Sequence, residues 1–141
     1  MLQKNVLVAK LPSNTVRAII ADFGYSLCDG EQEVLTSPRI SAKQSHCAPE
    51  LLSFSTLAWP SPASDVFACA STFVELLFGR PLNAQSYRQT LPSTGYRELT
   101  NRQWGELGPF IQRMWCEDPA KRPSVSQTQE KIRKIRRFKK G

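Results

Sequence analysis

The 141 residues, 40% hydrophobic and 22% charged, suit one packed domain and leave no room for a second of comparable size. The formal net charge of +7 is a terminal feature: Lys131, Arg133, Lys134, Arg136, Arg137, Lys139 and Lys140 carry it, and the twelve basic residues before them are matched by twelve acidic ones. That distribution argues against a nucleic-acid surface spread over the whole fold. No apolar run approaches the ~20 residues of a membrane-spanning helix, and no apolar leader opens the chain, so the expected compartment is intracellular and cytoplasmic.

Asn5–Val8 and Val16–Ala21 read as two short β-rich runs, joined by the turn-forming stretch Leu11-Pro12-Ser13-Asn14-Thr15, which predicts a β-hairpin. From Asp22 to Pro49 neither helical nor strand periodicity persists, and a loop of that length in a compact domain is usually functional or mobile. Ser64-Asp65 opens a run with apolar residues at 66, 67, 70, 73, 74, 77 and 78, interrupted by Ser71, Thr72 and Glu75 and stopped by Gly79 and Pro81. The spacing predicts a helix over Val66–Phe78, apolar around much of its circumference and therefore buried.

Thr100 with Gln103 makes a capping-box pattern ahead of Trp104, Leu107, Ile111, Met114 and Trp115, an amphipathic helical set. Ser124 with Gln127 repeats it after Pro123, and Val125, Thr128, Ile132 and Ile135 carry a last helix into the basic end. Cys28, Cys47, Cys69 and Cys116 include no CxxC pair, and His46 is the single histidine, so free thiols are the expectation rather than zinc or a disulfide framework.

Five motifs in order carry a resemblance: Asp22-Phe23-Gly24, Ala48-Pro49-Glu50, Ser64-Asp65-Val66-Phe67, Leu76-Leu77-Phe78-Gly79-Arg80-Pro81 and Trp115-Cys116-Glu117-Asp118-Pro119-Ala120-Lys121-Arg122-Pro123. Together they resemble the C-terminal lobe of a eukaryotic-type protein kinase, with the texture of the tyrosine-kinase-like branch. The resemblance implies a mainly α fold with a small N-terminal β-hairpin, residues 1–135 forming part of a kinase domain and 136–141 a basic tail.

In that family Mg²⁺ neutralises charge on the phosphates of ATP through hard oxygen ligands. The resemblance casts Asp22 as the carboxylate ligand and Asn5 as the amide ligand, with Phe23 and Gly24 completing the motif. Read without the resemblance, Asn5 is a polar residue at a strand edge and Asp22 a turn former. Glu50 and Arg122 correspond to a buried ion pair that anchors the end of the activation segment to the helical base. Asp65 matches an aspartate that holds the catalytic-loop backbone; equally, it is an acid favoured in the first turn of a helix.

The family's catalytic aspartate would lie just before Met1, and no counterpart of the Gly-rich loop or of the β3 lysine occurs in the chain. Ala68-Cys69-Ala70 replaces the family's S-x-G, with Ala70 where Gly is common, and Lys43 stands where serine/threonine kinases usually carry Thr and tyrosine kinases Pro. The expectation is therefore a truncated kinase-like domain, inactive as this chain, with doubtful ATP and Mg²⁺ binding. A non-catalytic interaction module is the alternative. A helix lacking its usual neighbours should leave Leu, Phe and Val side chains of 66–78 partly uncovered, calling for another polypeptide that supplies the missing lobe. The basic tail is either a solvated helix end or a contact for an anionic surface, without specific nucleic-acid recognition.

Overall fold

The computed structural model describes residues 5–12, 15–23, 26, 46–52, 60–78 and 105–138. Two strands, β1 (Val6–Lys10) and β2 (Val16–Ile20), pair antiparallel in a register running from Val6↔Ile20 to Lys10↔Val16. The ladder extends past both ends, with Leu11 N–H donating to the Thr15 carbonyl at 2.9 Å and Ala21 N–H to the Asn5 carbonyl at 2.8 Å. The hairpin matches the sequence expectation, with strand limits shifted by one or two residues.

Neither face of the ribbon is polar. Val6, Val8, Val16, Ala18 and Ile20 share one face with Lys10, while Leu7, Ala9 and Ile19 share the other with Arg17. Strands apolar on both faces are typical of sheets covered on both sides. Here all of β2 is exposed, and Val8 and Val16 reach 70% and 67% exposure.

Among the described residues the helices are α1 (Pro49–Leu52), α2 (Pro62–Phe78), α3 (Leu107–Met114) and α4 (Val125–Phe138), with a 3₁₀ turn at Pro119–Lys121 between the last two. The α2 helix begins two residues ahead of the Ser64 suggested by the sequence. Its start is Ser61-Pro62: proline's fixed φ suits a first helical position. Ser61 and Ser64 cap each other, the Ser64 N–H donating to Ser61 Oγ at 3.3 Å and the Ser61 N–H to Ser64 Oγ at 3.0 Å. That is a capping box with serine in place of the usual glutamate.

The core lies between α2 and α3, where Val66, Phe67, Ala70 and Val74 meet Phe110, Ile111, Met114 and Trp115, with Ala48 from the stretch before α1. Two hydroxyls on the buried side of α2 cost little because Ser71 donates to the Phe67 carbonyl and Thr72 to the Ala68 carbonyl, one turn back. Ser71 Oγ also accepts the Trp115 indole N–H at 3.0 Å, satisfying the polar end of a buried aromatic. The expectation of partly uncovered Leu, Phe and Val side chains on this helix holds for some of them: α3 covers Val66, Phe67 and Val74, while Phe73 and Leu77 are half-buried. Leu76 is 62% exposed, and among the described residues most of the exposed large apolar side chains lie on the hairpin.

The chain enters α3 through Gly105 in the left-handed region, φ +49, which glycine adopts without a Cβ penalty. Glu106 is the N-cap and offers no side-chain cap, so the Thr100–Gln103 pattern does not open this helix; those two residues and Trp104 lie outside the described ones. At α4 the sequence reading holds, since Ser124 N–H donates to Gln127 Oε1 at 2.9 Å and Gln127 N–H to Ser124 Oγ at 3.1 Å. Ser124→Ala removes half of that reciprocal cap and should destabilise the fold by about 1 kcal/mol. Urea unfolding checks this, and a midpoint equal to wild type contradicts it.

Cys47, Cys69 and Cys116 are free thiols, each half-buried. Burial, with Glu50 adding to it, pushes the Cys47 thiol up to about 11. Among the described residues no helix is long and apolar enough to cross a membrane.

Candidate functional site

The hairpin register brings Asn5 and Asp22 together at its open end. They stand 17 positions apart in sequence, yet Asn5 Nδ2 donates to Asp22 Oδ2 at 3.3 Å. Asp22 is the described non-glycine residue with positive φ, +66. Holding a side-chain-bearing residue there costs on the order of 1–3 kcal/mol, and such strain clusters at functional sites. Ser26 N–H donates to the Phe23 carbonyl at 2.9 Å, and Phe23 is 65% exposed. Gly24 lies outside the described residues.

A carboxylate beside an amide whose Oδ1 is a hard oxygen offers two donors of the kind Mg²⁺ accepts, the ion taking its remaining ligands from water and phosphate. The donor set therefore fits the cation in kind. Among the described residues no group of three or more His, Cys, Asp or Glu side chains could hold a metal by itself, so this pair is at most one side of a site.

Beneath the loop end sits a clamp. Arg122 Nη1 and Nη2 donate to Glu50 Oε1 and Oε2 at 2.7 and 2.8 Å, the two-pronged arrangement that arginine's planar fork allows. Nη1 also donates to the Ala63 carbonyl, Nη2 to the Glu117 carbonyl and Nε to the Cys116 carbonyl. All five guanidinium N–H groups are thereby used. The cation lies 4.8 Å from the centroid of the Phe67 ring, and the Arg122 side chain is fully buried. Three pieces of chain converge on it: α1 through Glu50, the start of α2 through Ala63 and Phe67, and the segment after α3 through Cys116 and Glu117.

Asp65 lies exposed in the first turn of α2, where the helix dipole favours an acid. Its side chain accepts no hydrogen bond among the described residues, and the catalytic-loop backbone that the resemblance implies for it lies outside them. Sequence reasoning missed a second buried polar contact, in which His46 Nε2 lies 2.9 Å from Glu75 Oε2 with both side chains almost fully buried. The signal was present: an acid on the apolar side of a buried helix requires a partner. Burial holds the His46 imidazole below its ordinary pKa, and the neighbouring Glu75 carboxylate opposes the shift without cancelling it.

Compared with family models, residues 2–132 match the one described as the protein kinase domain. No curated protein matches the chain.

Proposed function

The chain belongs to the protein kinase domain family, and from that premise we propose that Asn5 and Asp22 are the metal-facing side of a phosphoryl-transfer site. The observation that carries this reading is their convergence at the hairpin mouth, with Asp22 held in left-handed backbone. Mg²⁺ with ATP supplies neutralisation of the phosphate charge; the protein contributes a carboxylate and an amide oxygen, fixed by the β-ladder from Asn5 to Ala21. Phe23 and Gly24 complete the motif around Asp22, and the Glu50–Arg122 clamp keeps the far end of the intervening segment on the helical base. An intracellular, nucleotide-rich setting suits this role.

As an isolated polypeptide the chain binds Mg²⁺ and ATP weakly and transfers no phosphate. Phosphoryl transfer depends on positioned charge and a base as well as a metal, and the hairpin mouth presents two donors among the described residues. Mn²⁺ titration followed by paramagnetic broadening of Asn5 and Asp22 resonances tests the site. Asp22→Ala should weaken Mn²⁺ binding by more than the ~10–100-fold that outer partners of a metal site command. Equal broadening in wild type and Asp22→Ala refutes the metal assignment, and phosphotransfer that disappears in Asp22→Ala refutes the inactivity.

A second reading, a non-catalytic interaction module, is favoured by the exposed Leu7, Val8, Val16, Ile19 and Ile20 of the hairpin. A ribbon apolar on both faces is suited to being covered by another polypeptide, such as one that supplies the rest of a kinase lobe.

A further inference from the structure

Away from the hairpin, the His46–Glu75 contact joins the stretch leading into α1 to the last turn of α2. Both residues are buried, 4% and 5% exposed, and Nε2 and Oε2 are 2.9 Å apart. Four residues further on, Glu50 is held by Arg122. Besides the packing of Ala48 in the core, the described side-chain contacts at the two ends of this short stretch differ in kind: one goes through an arginine, a side chain that keeps its charge throughout the pH range proteins meet, and one through a histidine, which does not.

We propose that the His46–Glu75 contact is an acid-released latch, protonation of the imidazole freeing residues 46–48 from α2 while the Glu50–Arg122 clamp keeps α1 in place. In the latched state the neutral ring donates Nε2–H to the carboxylate, and burial opposes adding a proton to the ring. Once the stretch opens, the ring is in water and titrates near ~6.5.

The latched ring's pKa lies below that value, because burial outweighs the attraction of Glu75. Between the two pKa values the open form binds more protons, so falling pH favours opening by up to about tenfold per pH unit, and the effect ends below the latched-state value. Glu75 on α2 is the described charge acting on the ring. Cys47 beside it stays neutral, its thiol pushed up to about 11. Glu50 on α1 is engaged by Arg122, while Asp65 on α2, Arg113 on α3, and Glu130, Arg133 and Lys134 on α4 are solvent-exposed. The latch is independent of the metal pair at the hairpin mouth.

His46 is the only histidine, so its ring resonances are unambiguous in an NMR titration of the full chain. The expected midpoint is below ~6.5 in wild type and lower still in Glu75→Gln, which removes the carboxylate that favours the protonated ring. The Leu51 amide, which donates to the Ala48 carbonyl at 3.0 Å, reports opening. Its hydrogen exchange, corrected for the intrinsic pH dependence, should accelerate by up to about tenfold per unit below pH ~6.5 in wild type and stay flat in His46→Gln. A wild-type midpoint at or above ~6.5 overturns the proposal, because acid would then tighten the pair. A Glu75→Gln midpoint equal to wild type, or Leu51 exchange with the same pH dependence in wild type and His46→Gln, overturns it as well.

Discussion

Arg122→Ala should lower the melting temperature by about 10–20 °C, the largest single effect expected outside the apolar core. Removing one member of a buried pair leaves an uncompensated charge and costs roughly 3–5 kcal/mol, and a domain of this size loses several degrees per kcal/mol. The loss is compounded because the guanidinium bridges Glu50, Ala63, Cys116 and Glu117, whose oxygens lose their donors together. Arg122→Lys should recover only a fraction, since an ammonium cannot span both Glu50 oxygens and three carbonyls. Glu50→Ala should cost less than Arg122→Ala, because the three carbonyls still hold the cation and Glu50 is partly exposed. Circular dichroism melts of the three variants order them; an Arg122→Ala shift under about 5 °C would mean that the clamp adds little stability.

Phe67→Ala should cost about 3–5 kcal/mol, through lost burial and the cavity it leaves. The ring is fully buried, 6.5 Å centroid to centroid from Trp115 and directly beneath the Arg122 cation. Because it touches the clamp, its effect should not add to that of Arg122→Ala: the double variant should lose less than the sum. Leu76→Ala, on the exposed side of the same helix, should change stability by no more than about 0.5 kcal/mol. Urea unfolding of the set checks both claims. Comparable losses for Phe67→Ala and Leu76→Ala would show that α2 does not bury the face described.

What could be read in the sequence was mostly local or motif-borne. Ser124 and Gln127 cap α4 through contacts three residues apart, so their pattern specifies their structure. At α2, an acid at Asp65 and the apolar run both point to a start at Ser64, whereas the helix opens at Ser61-Pro62 with a serine-for-glutamate cap, a less familiar form. The Glu50–Arg122 pairing came from the resemblance, but the three carbonyls completing it depend on how the chain after α3 passes under α2, which no local pattern encodes. His46 and Glu75 were each visible and each ambiguous: a lone histidine in a loop, and an acid among apolar neighbours. Their pairing across 29 residues is a property of the packing. Asn5 and Asp22 were named as ligands by motif alone; the ladder that joins them and the left-handed backbone at Asp22 required the structure.

The clamp also governs how long the folded state lasts. Glu50 and Arg122 are 72 positions apart, so their contact can close only when the helices between them have found their places. A contact absent from the transition state changes the unfolding rate and leaves the folding rate nearly unaltered. Its free energy therefore acts as a brake: without it, the native state should open roughly two to four orders of magnitude faster, though the chain would fold at almost the same speed.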